Sequence, residues 1–212
     1  IVPTTTTKFT KRDENMFKRI GEICADIVNE TPGNCAIFFP SYDLRDKINL
    51  FFEPLCKKPL ILEQPKLTKE EKQYLIESFK SYSKTGAVLL GASSGSLGEG
   101  IDLPGDLLKT VVIVGLPLAK PDLETQELIK YYDERFGKGW DYAYIYPAVI
   151  KSLQNAGRCI RSEEDRGCIV FLDERFGWDN YRRCFPTDSK FEITRIPQDK
   201  IKEFFKGIKN EI

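Results

Sequence analysis

The chain has 212 residues, 41% of them hydrophobic, which is enough for one compact domain with a substantial core. Its 32 basic and 32 acidic residues balance, so bulk charge gives no support for a nucleic-acid partner, and only a local patch could do so. The absence of histidine from the sequence excludes imidazole-based metal sites and Ser-His or Cys-His catalysis.

Other features of the sequence concern the compartment and the extent of the chain. The six cysteines include no pair separated by only two residues, so we predict no metal site and expect reduced thiols in an intracellular protein. No run of about 18 apolar residues marks a membrane span. The start IVPTTTTKFTKRDE is unlike a signal peptide and lacks an initiator methionine, so we expect a fragment of a longer protein.

Helices and short apolar segments alternate along the chain. In order, we predict a helix over 13–30, a strand in NCAIFFP (34–40), a helix over 44–55, a strand in PLILEQ (59–64), a helix over 68–84, and strands in GAVLLGA (86–92), KTVVIVGLP (109–117) and GCIVFLDERF (167–176). Thr68 and Glu71 form a capping box that opens the third helix. Near-continuous apolar strands separated by helices indicate a doubly wound α/β fold, with a mainly parallel sheet and helices on both faces.

Three segments near the ends of these strands have an unusual composition. PSYD follows the first strand, SSGSLGEGIDLPGD follows the third, and QNAGRCIR leads into the last. We expect all three on the rim where ligands of such folds bind. The glycines of the second segment allow close backbone approach and an anion-binding nest, although a flexible surface turn has the same composition. Without a GKS or GKT motif, the chain is expected to hold no complete nucleotide site.

The segment QNAGRCIRSEEDR (154–166) carries two arginines at a spacing that suits one helical face. A helix would bring Gln154, Arg158 and Arg161 together, and guanidinium groups fork onto phosphoryl oxygens. The alternative is a solvated basic helix end that pairs with the acidic residues following it. The segment alone leaves both interpretations open.

Taken together, the three segments resemble the second RecA-like motor domain of superfamily-two helicases, in the XPD and DinG branch and most closely the XPD family. FFPSY resembles motif IV, GSLGEGID motif V and QNAGRCIR motif VI. The resemblance covers nearly the whole chain and implies that residues 1–212 form a single RecA-like domain of a larger helicase of archaeal origin. The family's Walker A loop, Asp-Glu-x-His box, cluster cysteines and arch domain have no counterpart in this sequence.

The resemblance implies roles for the residues of motifs V and VI. Arg158 and Arg161 would reach across a cleft to the phosphates of ATP, with Gln154 near the attacking water. The nucleotide-facing residues of motif V would be Gly98, Glu99, Gly100 and Asp102. ATP with Mg²⁺ would be bound mainly by the missing first motor domain, and a 4Fe–4S cluster would belong to the full-length protein outside this chain.

Single-stranded DNA is the implied partner, together with the first motor domain of the same protein. The residues predicted to donate hydroxyl or backbone N–H groups to DNA phosphates are Ser41, Tyr42, Ser93 and Ser94. The segment YYDERFGKGWDYAYIYP (131–147) adds seven aromatic side chains, of which Phe136 and Trp140 are predicted to stack on bases. The alternative is that these aromatic residues pack in the core.

Three functions stay open at this point. The favoured one is the second motor domain of an ATP-dependent 5′-to-3′ DNA helicase acting in nucleotide excision repair. The others are the motor domain of a DinG-like helicase and a non-catalytic RecA-like module that binds DNA or protein. We expect a monomer without membrane contact, located in the cytoplasm or, in a eukaryote, in the nucleus, and inactive as an ATPase when isolated.

Overall fold

The computed structural model describes residues 1–97, 107–118, 121–160 and 165–209. Within these ranges, five strands form one sheet in which all neighbouring strands are parallel, in the order β2-β3-β1-β4-β5. The strands are β1 (Cys35–Phe39), β2 (Leu60–Leu62), β3 (Val88–Ala92), β4 (Thr110–Val114) and β5 (Cys168–Leu172). Each lies inside a predicted apolar run, so the predicted doubly wound α/β fold is confirmed.

Helices connect the strands and cover both faces of the sheet. They are α1 (Glu14–Glu30), α2 (Tyr42–Phe52), α3 (Lys69–Ser81), α4 (Leu123–Phe136), α5 (Tyr146–Ala156), α6 (Asp179–Arg182) and α7 (Pro197–Lys209). A π-helical turn, Asp141–Ile145, runs directly into α5. The predicted capping box is confirmed, because Thr68 accepts from the Glu71 N–H while the Glu71 side chain accepts from the Thr68 N–H. Within the described ranges, no helix is long and apolar enough to cross a membrane.

Alternating strand residues divide the core into two layers. Ala36 and Phe38 of β1 belong to the layer that also contains residues of α3 and α5. Cys35, Ile37 and Phe39 belong to the opposite layer, together with residues of α1, α2 and α7. Because both faces are covered, β1, β3 and β4 are buried along their whole length, which explains why they appear in the sequence as continuous apolar runs.

The cysteines behave as small buried side chains. All six are unpaired, and Cys24, Cys35, Cys159 and Cys184 are buried. Burial raises the pKa of the Cys35 thiol to about 11 and that of Cys159 to about 12, so both stay protonated and unreactive near neutral pH. The expected role of these thiols in packing agrees with this burial.

Candidate functional site

The carboxyl edge of the sheet brings together the segments that follow the parallel strands. Ser41 comes two residues after β1 ends, the loop 93–97 leaves β3, and Glu63 directly follows β2. The backbone N–H of Ser93 donates to the carbonyl of Phe39, which joins the end of β1 to the start of the β3 loop. Two of the three unusual segments therefore meet at this edge, as predicted.

Ser41 and Tyr42 face different environments. The Ser41 side chain is exposed and caps α2 by accepting a hydrogen bond from the Leu44 N–H, which leaves its hydroxyl proton available to a ligand. The Tyr42 hydroxyl instead donates inward to the carboxyl group of Glu63, and burial together with that negative charge raises the pKa of Tyr42 to about 12. The structure thus keeps Ser41 as a candidate phosphate contact and commits the Tyr42 hydroxyl to the protein interior.

The loop after β3 separates two serines that the sequence analysis grouped together. Ser94 is exposed, whereas Ser93 is fully buried and uses its backbone N–H within the sheet. The predicted phosphate contact from Ser93 is therefore corrected: neither its hydroxyl nor its N–H can reach a DNA backbone in this arrangement. The Ser93 carbonyl accepts a hydrogen bond from Asn155 Nδ2 at 3.1 Å.

That hydrogen bond links the loop after β3 to α5, which contains the start of the QNAGRCIR segment. Gln154 is exposed on α5 and Asn155 is fully buried beneath it. The spacing predicted Arg158 on the face of a helix. α5 ends at Ala156, however, and Arg158 lies half-buried in the turn that follows it. Residues 157–158 form the turn that follows the helix.

The same turn corrects the expected position of the last segment. Cys159 is buried, and its Sγ contacts the carbonyl oxygens of Leu108 at 3.4 Å and Cys168 at 3.8 Å. These carbonyls lie at the amino ends of β4 and β5, so Cys159, three residues after α5 ends, lies at the amino end of the sheet, whereas Asn155 in the last turn of α5 still contacts the carboxyl edge at Ser93.

Five of the predicted nucleotide-site residues lie outside the residues that the structure describes. They are Gly98, Glu99, Gly100, Asp102 and Arg161. Their implied roles stay predictions.

A carboxyl group that the sequence analysis did not single out organises the carboxyl edge. Glu63 is fully buried, and its side chain accepts hydrogen bonds from the backbone N–H groups of Ala92 (2.9 Å) and Leu97 (2.6 Å) and from the Ser96 hydroxyl (3.1 Å). The signal in the sequence is a single acid placed directly after a three-residue apolar strand, which is too common to have been recognised.

The aromatic residues of the segment 131–147 form a surface cluster. Phe136 is 52% exposed and Trp140 is 50% exposed, and neither belongs to the core, so the alternative that they are packed inside is not supported. Phe136 stacks on Tyr132 with ring centroids 6.2 Å apart and meets Tyr142 edge-on at 5.6 Å. Trp140 packs on Tyr144 at 4.5 Å. The exposed ring faces are suited to contact with planar groups.

A cleft of about 310 Å³ lies between this cluster and the loop after β3. Ser94 and Tyr144 both line the cleft, and its other lining residues include Pro117, Asp122 and Lys151. Because Trp140 packs on Tyr144, the cleft connects one candidate phosphate contact with one candidate stacking residue. Neither Phe136 nor Trp140 lines the cleft itself.

The all-parallel sheet flanked by helices is a RecA-like fold, which a solved XPD helicase structure shares. Comparison with known proteins identifies the family: the chain matches the Helicase C-terminal domain family over residues 24–190 and belongs to it.

Individual relatives agree with this assignment. The chain is 28% identical to the ATP-dependent DNA helicase XPD of Sulfolobus acidocaldarius over 187 residues, covering 84% of this chain and 32% of XPD. It is 33% identical to the ATP-dependent DNA helicase DinG of Photobacterium profundum over 143 residues, covering 66% of this chain and 20% of DinG. A solved XPD helicase structure superimposes with a TM-score of 0.67 at 26% identity, covering 86% of this chain and 32% of that one. The chain thus spans a third or less of the length of these relatives.

Proposed function

We propose that residues 1–212 form the second motor domain of an ATP-dependent 5′-to-3′ DNA helicase of the XPD type that acts in nucleotide excision repair. The observation that carries this proposal is the hydrogen bond from Asn155 to the Ser93 carbonyl. It ties the segment with the candidate phosphate-binding arginines to the loop that faces the candidate DNA cleft. Such a tie would let the state of a nucleotide alter the grip on a strand.

In the ATP-facing half of the proposal, Arg158 and Arg161 supply positive charge to the phosphates of ATP. Phosphoryl transfer needs positive charge on the transferred and leaving oxygens, and an arginine supplied from a facing domain raises the rate by about 10³–10⁵. Gln154 is exposed on the last turn of α5, where it can reach a nucleotide held by the first motor domain. That domain would hold ATP and Mg²⁺, Glu99 and Asp102 would face the nucleotide, and the 4Fe–4S cluster would belong elsewhere in the full-length protein.

Arginine replacement in the full-length helicase tests this half. Arg158→Ala should lower DNA-stimulated ATP turnover at least about 100-fold, because an arginine that contacts the transferred phosphoryl group makes a large contribution to the rate. Arg166→Ala is the matched control, since Arg166 is an exposed arginine eight positions further along and outside the motif. A loss of only two- to threefold for Arg158→Ala, or an equal loss for Arg166→Ala, would contradict the assignment. The 212-residue chain alone should show no ATP turnover.

The DNA-facing half assigns the cleft between Ser94 and Tyr144 to single-stranded DNA. Phosphates would approach Ser41 and Ser94, which are exposed, and bases would stack on Trp140 and Phe136. With a net charge of zero, the isolated chain should bind single strands weakly, and affinity should fall only gradually with salt because few phosphates are neutralised. Strand displacement from substrates with only a 5′ or only a 3′ tail tests the polarity, and we expect activity on the 5′ tail alone.

A DinG-like helicase is the second candidate, because identity to DinG is 33% over the shorter matched stretch. In either case we propose a monomer that works with its own first motor domain, located in the cytoplasm or a nucleus. Repair of ultraviolet-damaged DNA distinguishes the two: loss of excision in cells lacking the protein supports the XPD type.

A further inference from the structure

We infer that Glu63 is a positioning residue that fixes the loop after β3 and couples it to the start of α2. The effect on ATP turnover rests on the proposed function, since that loop leads into the segment assigned to the nucleotide. The anchoring itself follows from the geometry around the Glu63 side chain.

Donors from two separate segments, the end of β3 with its loop and the start of α2, converge on this one carboxyl group. Oε2 accepts from the Ala92 N–H at 2.9 Å, while Oε1 accepts from the Leu97 N–H at 2.6 Å and from the Ser96 hydroxyl at 3.1 Å. The Tyr42 hydroxyl donates as a fourth partner. An ionised carboxyl group accepts only, so it matches four donors and no acceptors. Hydrogen bonds to an ionised acceptor are short and strong, and burial strengthens them further.

The surrounding residues are shaped to this carboxyl group. A Cβ on Gly95 would lie 2.5 Å from Glu63 Oε2 and 2.5 Å from the Tyr42 hydroxyl oxygen. Gly95 is therefore required by the close approach of these two side chains, and its φ angle is not among the positive values recorded for glycine in the described residues. The Glu63 carbonyl in turn accepts from Arg45 of α2, whose guanidinium lies 5.0 Å from the Tyr42 ring.

This arrangement joins the two strand ends that carry the candidate DNA contacts. Tyr42 is the first residue of α2, next to the exposed Ser41, and Ser96 is two residues from the exposed Ser94. A displacement of either segment must stretch a bond to the same carboxyl group. Glu63 thereby sets the relative position of the two serines and of the chain that leaves Leu97 toward the proposed nucleotide-facing residues.

Amide exchange in the 212-residue chain tests the anchoring. Glu63→Gln keeps the shape but presents an NH₂ group to at least one of the donors, because an amide has only one acceptor atom. We expect the Ala92 or the Leu97 amide to exchange at least about 10-fold faster, with the Ile37 amide of β1 unchanged. Thr110→Val is the matched control, since it removes another fully buried side-chain hydrogen bond, the one to Thr31 at 2.9 Å. Unchanged exchange at both Ala92 and Leu97 in Glu63→Gln would overturn the inference.

ATP turnover of the full-length helicase tests the consequence. The quantity measured is the ratio of turnover with saturating single-stranded DNA to turnover without it, which a general loss of stability would leave unchanged. Glu63→Gln should lower this ratio about 10-fold and Tyr42→Phe about threefold, while Thr110→Val keeps it. A wild-type ratio in Glu63→Gln would overturn the coupling role. A wild-type protein without DNA-stimulated turnover would instead refute the proposed function, and the exchange result would then decide the anchoring alone.

Discussion

Replacement of Asp173 by asparagine should destabilise the domain more than any surface change. Asp173 follows β5, is fully buried, and accepts hydrogen bonds from the Thr7 N–H (2.7 Å) and hydroxyl (3.2 Å) and from the Arg175 N–H (3.0 Å), Nε (2.8 Å) and Nη2 (2.8 Å). Both carboxylate oxygens accept more than one donor, so the NH₂ group of asparagine must face donors in either orientation. The buried Arg175 guanidinium also loses its counter-charge.

The expected cost follows from the burial of this ion pair. Removing one partner of a buried pair costs about 3–5 kcal/mol, a large part of a total stability of about 5–15 kcal/mol. Equilibrium urea unfolding should therefore show a midpoint lowered by about 1–3 M with an unchanged slope. Part of the loss should return when Arg175→Met is added, because the unpaired buried charge is then gone.

An identical substitution at an exposed site provides the control. Asp122 caps α4 by accepting from the Thr125 N–H, and asparagine caps helices about equally well, so Asp122→Asn should leave the urea midpoint unchanged. A loss below about 1 kcal/mol in Asp173→Asn would refute the reasoning, since it would mean that the bonds to Thr7 and Arg175 contribute little.

Three further predictions concern the thiols, the aromatic cluster and the α4 packing. Because burial raises the pKa of Cys35 from 9.0 to about 11, the folded state holds this proton more tightly than the unfolded state. The stabilisation is complete below pH 9 and falls by about 3 kcal/mol as pH rises to 11, so Cys35→Ala should flatten this alkaline decline in urea titrations. Trp140→Ala should weaken binding of labelled single strands by about 1–3 kcal/mol for every base composition, while Tyr74→Ala, which removes an exposed aromatic side chain on α3, should leave it unchanged. Gly139→Ala should lower the unfolding temperature, because an added Cβ would overlap the Ile129 carbonyl and push the π-helical turn away from α4.

The strands could be predicted because their environment is uniform. A parallel strand buried on both faces favours apolar residues at nearly every position, and this pattern is visible in VLLGA and TVVIV. The helix α4 was missed because its pattern is weak: it has no buried residue, and its aromatic side chains pack on one another. The helix α7 was missed although its pattern is clear, since Ile201 and Phe205, four positions apart, are both buried. The π-helical turn Asp141–Ile145 depends on how Gly139 fits against α4, a tertiary contact with no local signature.

The residues misplaced by the sequence analysis share a physical cause. A loop rich in serine and glycine at a sheet edge must first satisfy its own backbone groups, and only the remaining donors can face a ligand. Ser93 gives its N–H to Phe39 and its carbonyl to Asn155, and Gly95 makes room for Glu63. Composition cannot tell such internal roles from external ones, because the same hydroxyl or glycine serves both. The exposed neighbours Ser41 and Ser94 lie beside residues whose backbone groups or side chains are bonded within the protein, so a ligand at this edge would meet donors that are already ordered.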